Sequence, residues 1–183
     1  MSRTSMDMTR GSLKKQILFF SIPLMLSNLL QVLFNMSDIA VIGQFAGAMS
    51  LGAVGSTTTL ISMYTGFLIG LSGGINVLTA LYIGARNRKS VSETVHSAFL
   101  VSLVVGLILL ILGVSTSRGV LVLLNTKEEL IDKAALYIRI YFLGIPALAL
   151  YNFGNAVFSA AGDTGRPLRY LFLSGIVNVI LNL

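Results

Sequence analysis

Residues 23–47 read PLMLSNLLQVLFNMSDIAVIGQFAG, and the fold turns on how that stretch is read. It carries one ionisable side chain, Asp38, in an otherwise apolar run that extends from about residue 17 to residue 42. A run of that length is enough to cross the hydrocarbon core of a bilayer as a helix. An ionised group inside hydrocarbon costs a few kcal/mol even on lenient insertion scales, so Asp38 needs company. It has it: Asn28, Gln31, Asn35 and Asp38 follow one another at intervals of three, four and three residues. At 100° per residue the four fall within about 80° of one another, on one face of a helix. Such a stripe is badly placed against lipid and is expected to face a bundle interior or a water-filled cavity. Asn and Gln alone also serve as interhelical glue; the added carboxylate favours a functional cavity.

The rest of the chain agrees with a lipid solvent. Of 183 residues, 55% are hydrophobic and 11% charged, and the mean hydropathy is +0.85. An average soluble domain is about one quarter charged. Four further apolar segments follow the first: residues 51–83, rich in glycine, 95–114, 134–161, and one from about 168 to the last residue, 183. Residues 120–124 form a short apolar run in the loop after the third. The expected fold is an all-α integral membrane protein, a polytopic helical bundle of about five spans joined by short loops. The last segment reaches roughly 24 Å at 1.5 Å per residue, short of a roughly 30 Å core, so the chain is expected to be a fragment. The opening 30 residues, basic and then apolar, are read as a retained helix, too long for a signal peptide.

Lysine and arginine set the orientation. Arg3, Arg10, Lys14, Lys15, Arg86, Arg88, Lys89, Arg166 and Arg169 fall on the side of the N-terminus. Residues 43–50, the loop after the first span, carry no charge, and the loop after the third holds Arg118, Lys127 and Lys133 diluted by Glu128, Glu129 and Asp132. The N-terminus is expected in the cytoplasm and the protein in the cytoplasmic (inner) membrane. The net charge of +6 sits at the ends of apolar runs and not on a stripe with interleaved exposed aromatics, so nucleic acid is not an expected partner. Without cysteine there is neither a disulfide framework nor a thiol-ligated metal site. No nucleophile elbow, phosphate loop or His/Cys cluster is present, so no catalytic residues and no cofactor are expected.

Several smaller features invite packing roles. Gly66 and Gly70 form a G-x-x-x-G pair that permits close helix approach. Pro23 and Pro146 are expected to kink or start helices. The tyrosines mostly lie near segment ends, as interfacial anchoring requires. Asn178 and Asn182 are four apart on the fifth segment. If their face meets the stripe on the first helix, amide oxygens converge on Asp38, and the site could hold a proton or a small hard cation such as Na+.

Three passages together resemble the multidrug and toxic compound extrusion (MATE) family: residues 23–47 above, residues 66–89, GFLIGLSGGINVLTALYIGARNRK, and residues 137–170, YIRIYFLGIPALALYNFGNAVFSAAGDTGRPLRY, with its GDT-x-x-P loop. The resemblance runs from Leu13 onward. It implies a twelve-helix fold of two six-helix bundles, of which residues 1–183 supply most of the first, the second bundle being absent from this chain. It implies a secondary active transporter and not an enzyme: an antiporter in which entry of H+ or Na+ drives export of small organic cations and drugs. By position Asp38 matches the acid of the family's N-terminal cation site and Asn178 an asparagine of that site, with Gln31 and Asn35, beside Asn28, lining the substrate cavity. Asn182 stands where many members carry a second acid, and Leu81 where a glutamine is usual. The rival readings are a lipid or lipid-linked oligosaccharide flippase of related fold, which calls for a strongly cationic cavity, and an ion channel or a membrane scaffold without transport.

Overall fold

In the computed structural model, which describes residues 12–182 (side chains other than those of Leu13 and Asn182), every long element is a helix. Helix α1 spans Leu13–Val41 and runs into a π-helical turn, Ile42–Ala46. Helix α2 spans Gly47–Gly84, α3 Arg88–Leu123, α4 Glu128–Leu143, α5 Ile145–Ala160 and α6 Gly165–Asn182. Arg3 and Arg10 lie outside the described residues.

Local chemistry sets the ends. Gly47 takes φ 77°, ψ 172°, which redirects the chain between α1 and α2 and suits a residue without Cβ. Asn87 caps α3 by accepting the Ser90 N–H at 3.1 Å. Gly144 breaks α4 from α5, which has a proline in its first turn. The two halves of the fourth apolar segment are bent by 48°, so the bend expected of Pro146 is present. Helix α1, by contrast, continues through Pro23. The run at residues 120–124, expected in a loop, is instead mostly the last turn of α3, where Leu121 is fully buried. Its apolar side chain packs under α4, which overrides the loop chemistry around it. Residues 43–50 are likewise not an open loop but the π-turn and the first turn of α2.

Two helical stretches are long and apolar enough to cross a bilayer, Lys14–Gly84 and Arg88–Leu123, and the bent α4–α5 pair makes a third if it is one broken span. The count is lower than the five expected for two physical reasons. The π-turn joins the first two segments into one helical stretch of 71 residues; at 1.5 Å per residue that is about 107 Å, several bilayer cores long. The apolar run of α6 is diluted by Arg166 and Arg169.

The core lies among α2, α3, α4 and α5, where Leu68, Leu121, Ile138, Phe142, Ile145 and Ala149 have no exposed surface. Small residues let these helices approach. A Cβ on Gly106 of α3 would stand 2.7 Å from the Pro146 Cα of α5, and one on Gly113 would overlap the Phe142 ring. Gly66 and Gly70 do not play that part: nothing stands within 4 Å of a Cβ built at either, so their spacing marks no close approach among the described residues. Four buried hydroxyls satisfy themselves within their helices: Thr57, Ser72, Ser102 and Ser117 donate to carbonyls three residues back, whereas that of Thr79 has no hydrogen-bond partner among the described residues. Helix α1 stands apart from this core with α6 as its main neighbour, and its only buried side chain among the described residues is Ser27.

Candidate functional site

Between the α1–α6 pair and the α2, α4 and α5 helices lies a cavity of about 750 Å³. Helix α1 presents Gln31, Asn35 and Asp38 to it, three residues at intervals of four and three that share one face. Asn28, a turn earlier, is exposed and does not line it; the amide stripe is longer than the cavity. Helix α2 contributes a wall of Thr57, Thr58, Ser62 and Thr65 between aliphatic side chains. Thr57 and Thr65 turn their hydroxyl protons back to the carbonyls of Val54 and Ile61, at 2.7 and 2.8 Å.

The far wall carries residues that the sequence did not single out for this role. Tyr137 and Tyr141 of α4, Tyr151 and Asn152 of α5, and Tyr170 of α6 all line the cavity. These tyrosines are therefore not only interfacial anchors. The bend at Gly144 gathers rings from both sides of it into one chamber. Tyr137 and Tyr141, one helical turn apart, have ring centroids 6.5 Å apart, and Tyr137 is near enough to Asp38 for the two to interact electrostatically. Behind them Phe142 is fixed edge-on to Tyr64 with centroids at 4.7 Å. Asn152 donates its amide to the Leu148 carbonyl at 2.9 Å, which leaves its carbonyl oxygen as an acceptor. The Tyr151 hydroxyl is buried and has no hydrogen-bond partner among the described residues. The usable signal was spacing: 137, 141, 148 and 152 repeat at helical intervals across a predicted bend.

Asp38, half-buried, is the only charged residue in the lining of the cavity. No three His, Cys, Asp or Glu side chains gather anywhere among the described residues. A cation held here would rest on one carboxylate and neutral oxygens, a donor set suited to a hard monovalent ion or to a proton on Asp38 itself. On α6, Leu171 and Ser174 line the cavity, and half-buried Asn178 lies one turn beyond Ser174. The Asn182 side chain lies outside the described residues.

The GDT-x-x-P loop has a structural task. Gly162 takes φ 76°, and Asp163, 3% exposed, accepts the Arg166 N–H at 3.1 Å and pairs with the Arg166 guanidinium at 2.9 Å. Thr164 donates to the Phe20 carbonyl of α1 at 3.4 Å, which ties the start of α6 to α1.

A family model described as MatE matches residues 23–183. Among curated proteins the chain is 35% identical over 177 residues to the probable multidrug resistance protein YpnP of Bacillus subtilis strain 168, covering 96% of this chain and 39% of that protein. It is 27% identical over 173 residues to the probable multidrug resistance protein YoeA of the same strain, covering 94% and 37%. Among solved structures it superposes on a crystal structure of MATE in complex with MaL6 with a TM-score of 0.89, at 25% identity, over 100% of this chain and 40% of that one. The chain thus spans about two fifths of the length of the relatives it matches.

Proposed function

The chain belongs to the MatE family, and from that premise we propose that the full-length protein is a cation-coupled antiporter that exports organic cations and drugs. The family is one of multi-pass membrane transporters for multidrug efflux, not of enzymes. The observation that carries the finer reading is the placing of Asp38, as the only charged group, on the wall of a chamber lined by amides, hydroxyls and tyrosine rings. An acidic, aromatic chamber favours cationic amphipathic guests through charge and cation–π attraction. It disfavours the anionic head groups that a lipid flippase must receive.

In this reading H+ or Na+ binds at Asp38, with Asn178 and Asn182 contributing amide oxygens, while Gln31 and Asn35 meet the substrate. Asn182, an amide, cannot take a proton, which leaves Asp38 as the one carboxyl of this set. Occupying Asp38 with a cation neutralises the one charge on the cavity wall and changes the packing of α1. If the substrate prefers the other packing, ion and substrate exclude one another, and exchange follows. The excess of Lys and Arg on the N-terminal side supports a cytoplasmic N-terminus in the inner membrane. The test is uptake of a fluorescent organic cation by inside-out vesicles holding the full-length protein, under a proton or a sodium gradient. Gradient-driven uptake that vanishes in Asp38→Asn is expected; full retention in that variant removes Asp38 from the coupling.

A further inference from the structure

Helices α1 and α6 lie side by side in the same direction, joined near their starts by Thr164 and Phe20 and further along by the Phe34 ring, which sits against Gly175. Below that closure the seam opens outward into a groove of about 520 Å³, distinct from the cavity. Its walls are Leu26, Leu29 and Leu30 of α1 and Leu168, Phe172 and Leu173 of α6; the one other lining residue is Arg169. By helical phase the α1 wall is roughly opposite the Asp38 stripe.

Arg169 is exposed and has no carboxylate partner among the described residues, where the ion pairs are Lys89–Glu93, Arg118–Asp132 and Arg166–Asp163. Its Nε donates to the Gly165 carbonyl at 3.4 Å, so the side chain turns back one turn toward the start of α6, as a snorkelling arginine does near a membrane surface. Arg169 thus lines the groove by its aliphatic stem, with its guanidinium beyond the apolar lining, toward the start of α6. An unneutralised arginine above an acyl-sized apolar slot has the complementarity of a phosphate head on a hydrocarbon tail.

We propose that this groove binds one anionic phospholipid, a fatty-acyl chain between α1 and α6 and the phosphate on Arg169. Nothing in this assignment depends on the transport reading; it requires a membrane surrounding and a groove that the rest of the full-length protein leaves open to lipid. Because the lipid and the cavity occupy opposite faces of α1, lipid occupancy bears on the helix that carries Asp38.

Native mass spectrometry of the full-length protein tests it, with phosphatidylglycerol and phosphatidylcholine of identical acyl chains as probes. Wild type should retain phosphatidylglycerol preferentially. Arg169→Gln should reduce that retention about five-fold, the worth of one basic residue at an anionic surface, and leave phosphatidylcholine unchanged. Leu173→Trp, which fills the slot, should reduce retention of both lipids; Leu29→Trp fills it from the other wall should the first variant fail to fold. Equal retention of the two lipids by wild type overturns the proposal, as does retention unaffected by Arg169→Gln or by a slot-filling tryptophan. A photo-crosslinker at Leu29 that captures another segment of the same protein instead of lipid also overturns it.

Discussion

Adding one methyl group at Gly113 should cost more than the addition of the same group almost anywhere else in the chain. A Cβ there would overlap Cγ, Cδ1 and Cε1 of the Phe142 ring. The ring has no exposed surface and is held edge-on by Tyr64, so it has nowhere to swing. Gly113→Ala must therefore push α3 away from α4 or displace the ring. Overpacking a tight core costs about 1–3 kcal/mol, and displacement is bounded by the roughly 3–5 kcal/mol of losing a buried phenylalanine. The gain in helix propensity returns about 0.5–1 kcal/mol. The expected net loss is about 1–3 kcal/mol, read by circular dichroism as a lower midpoint in denaturation of the detergent-solubilised protein. Gly70→Ala, where no atom stands within 4 Å, serves as the control and should gain about 0.5–1 kcal/mol over wild type from helix propensity alone. In Gly113→Ala combined with Phe142→Leu the smaller side chain makes room, so the two losses should fall short of their sum by about 1 kcal/mol or more. A Gly113→Ala protein as stable as Gly70→Ala, or a strictly additive double variant, would refute the close approach of α3 and α4.

Asp163→Ala removes both the cap of α6 and the partner of Arg166, and should lower stability by about 1–3 kcal/mol; Asp163→Asn, which keeps a capping oxygen, should lower it by less, both measured as thermal midpoints. Tyr151→Phe deletes a buried hydroxyl without a partner. It should leave stability unchanged or slightly raised, read as the thermal midpoint of the detergent-solubilised protein; a loss of more than about 1 kcal/mol would show that the hydroxyl has a partner beyond the described residues. Amide hydrogen exchange should run faster along α1 than along α3, because among the described side chains α1 buries only Ser27 while α3 buries seven residues from Ala98 to Leu121; equal protection would contradict a loosely held α1.

What could be read in advance was whatever a single helix encodes by its own period. Gln31, Asn35 and Asp38 declare a shared face through spacing alone, and the structure puts that face on a cavity. Asn28 obeys the same spacing but lies outside the chamber, whose extent is set by α2, α4 and α5 and by nothing in α1. The tyrosines were harder, since Tyr137 and Tyr151 become neighbours of one space only through the turn at Gly144, a tertiary fact. Glycines misled for a related reason. The Gly66 and Gly70 pair matches a contact motif and makes no contact, while Gly106 and Gly113, seven apart and so also on one face, do the close packing. Close approach needs a bulky partner opposite, here Pro146 and Phe142, and a one-helix motif cannot say what stands opposite. The end of α3 was misassigned because charged and turn-forming neighbours around residues 120–124 outweigh five apolar residues locally, whereas burial of Leu121 outweighs them in the fold.

Among the described residues a tight α2–α5 core stands beside a lightly packed α1–α6 pair, and under the proposed antiport that division bears on how one carboxylate would govern transport. Had Asp38 lain among Leu68, Ile138 and Phe142, its ionisation would act on the stability of the whole bundle, for a dense interior is not continuously deformable. On α1 it faces a chamber, and the helix it belongs to is held mainly by α6. Under the antiport proposed above, a change of charge there would be absorbed by a shift of this helix pair against the α2–α5 core, the kind of small bistable rearrangement that a bound ion and a bound drug can bias in opposite senses. Coupling of that sort is reciprocal: whatever factor the cation takes from substrate affinity, the substrate takes from cation affinity. The Thr164–Phe20 and Phe34–Gly175 contacts link the two helices directly, so under this reading an effect at Asp38 would reach Ser174 and Asn178 on α6 without passing through the core.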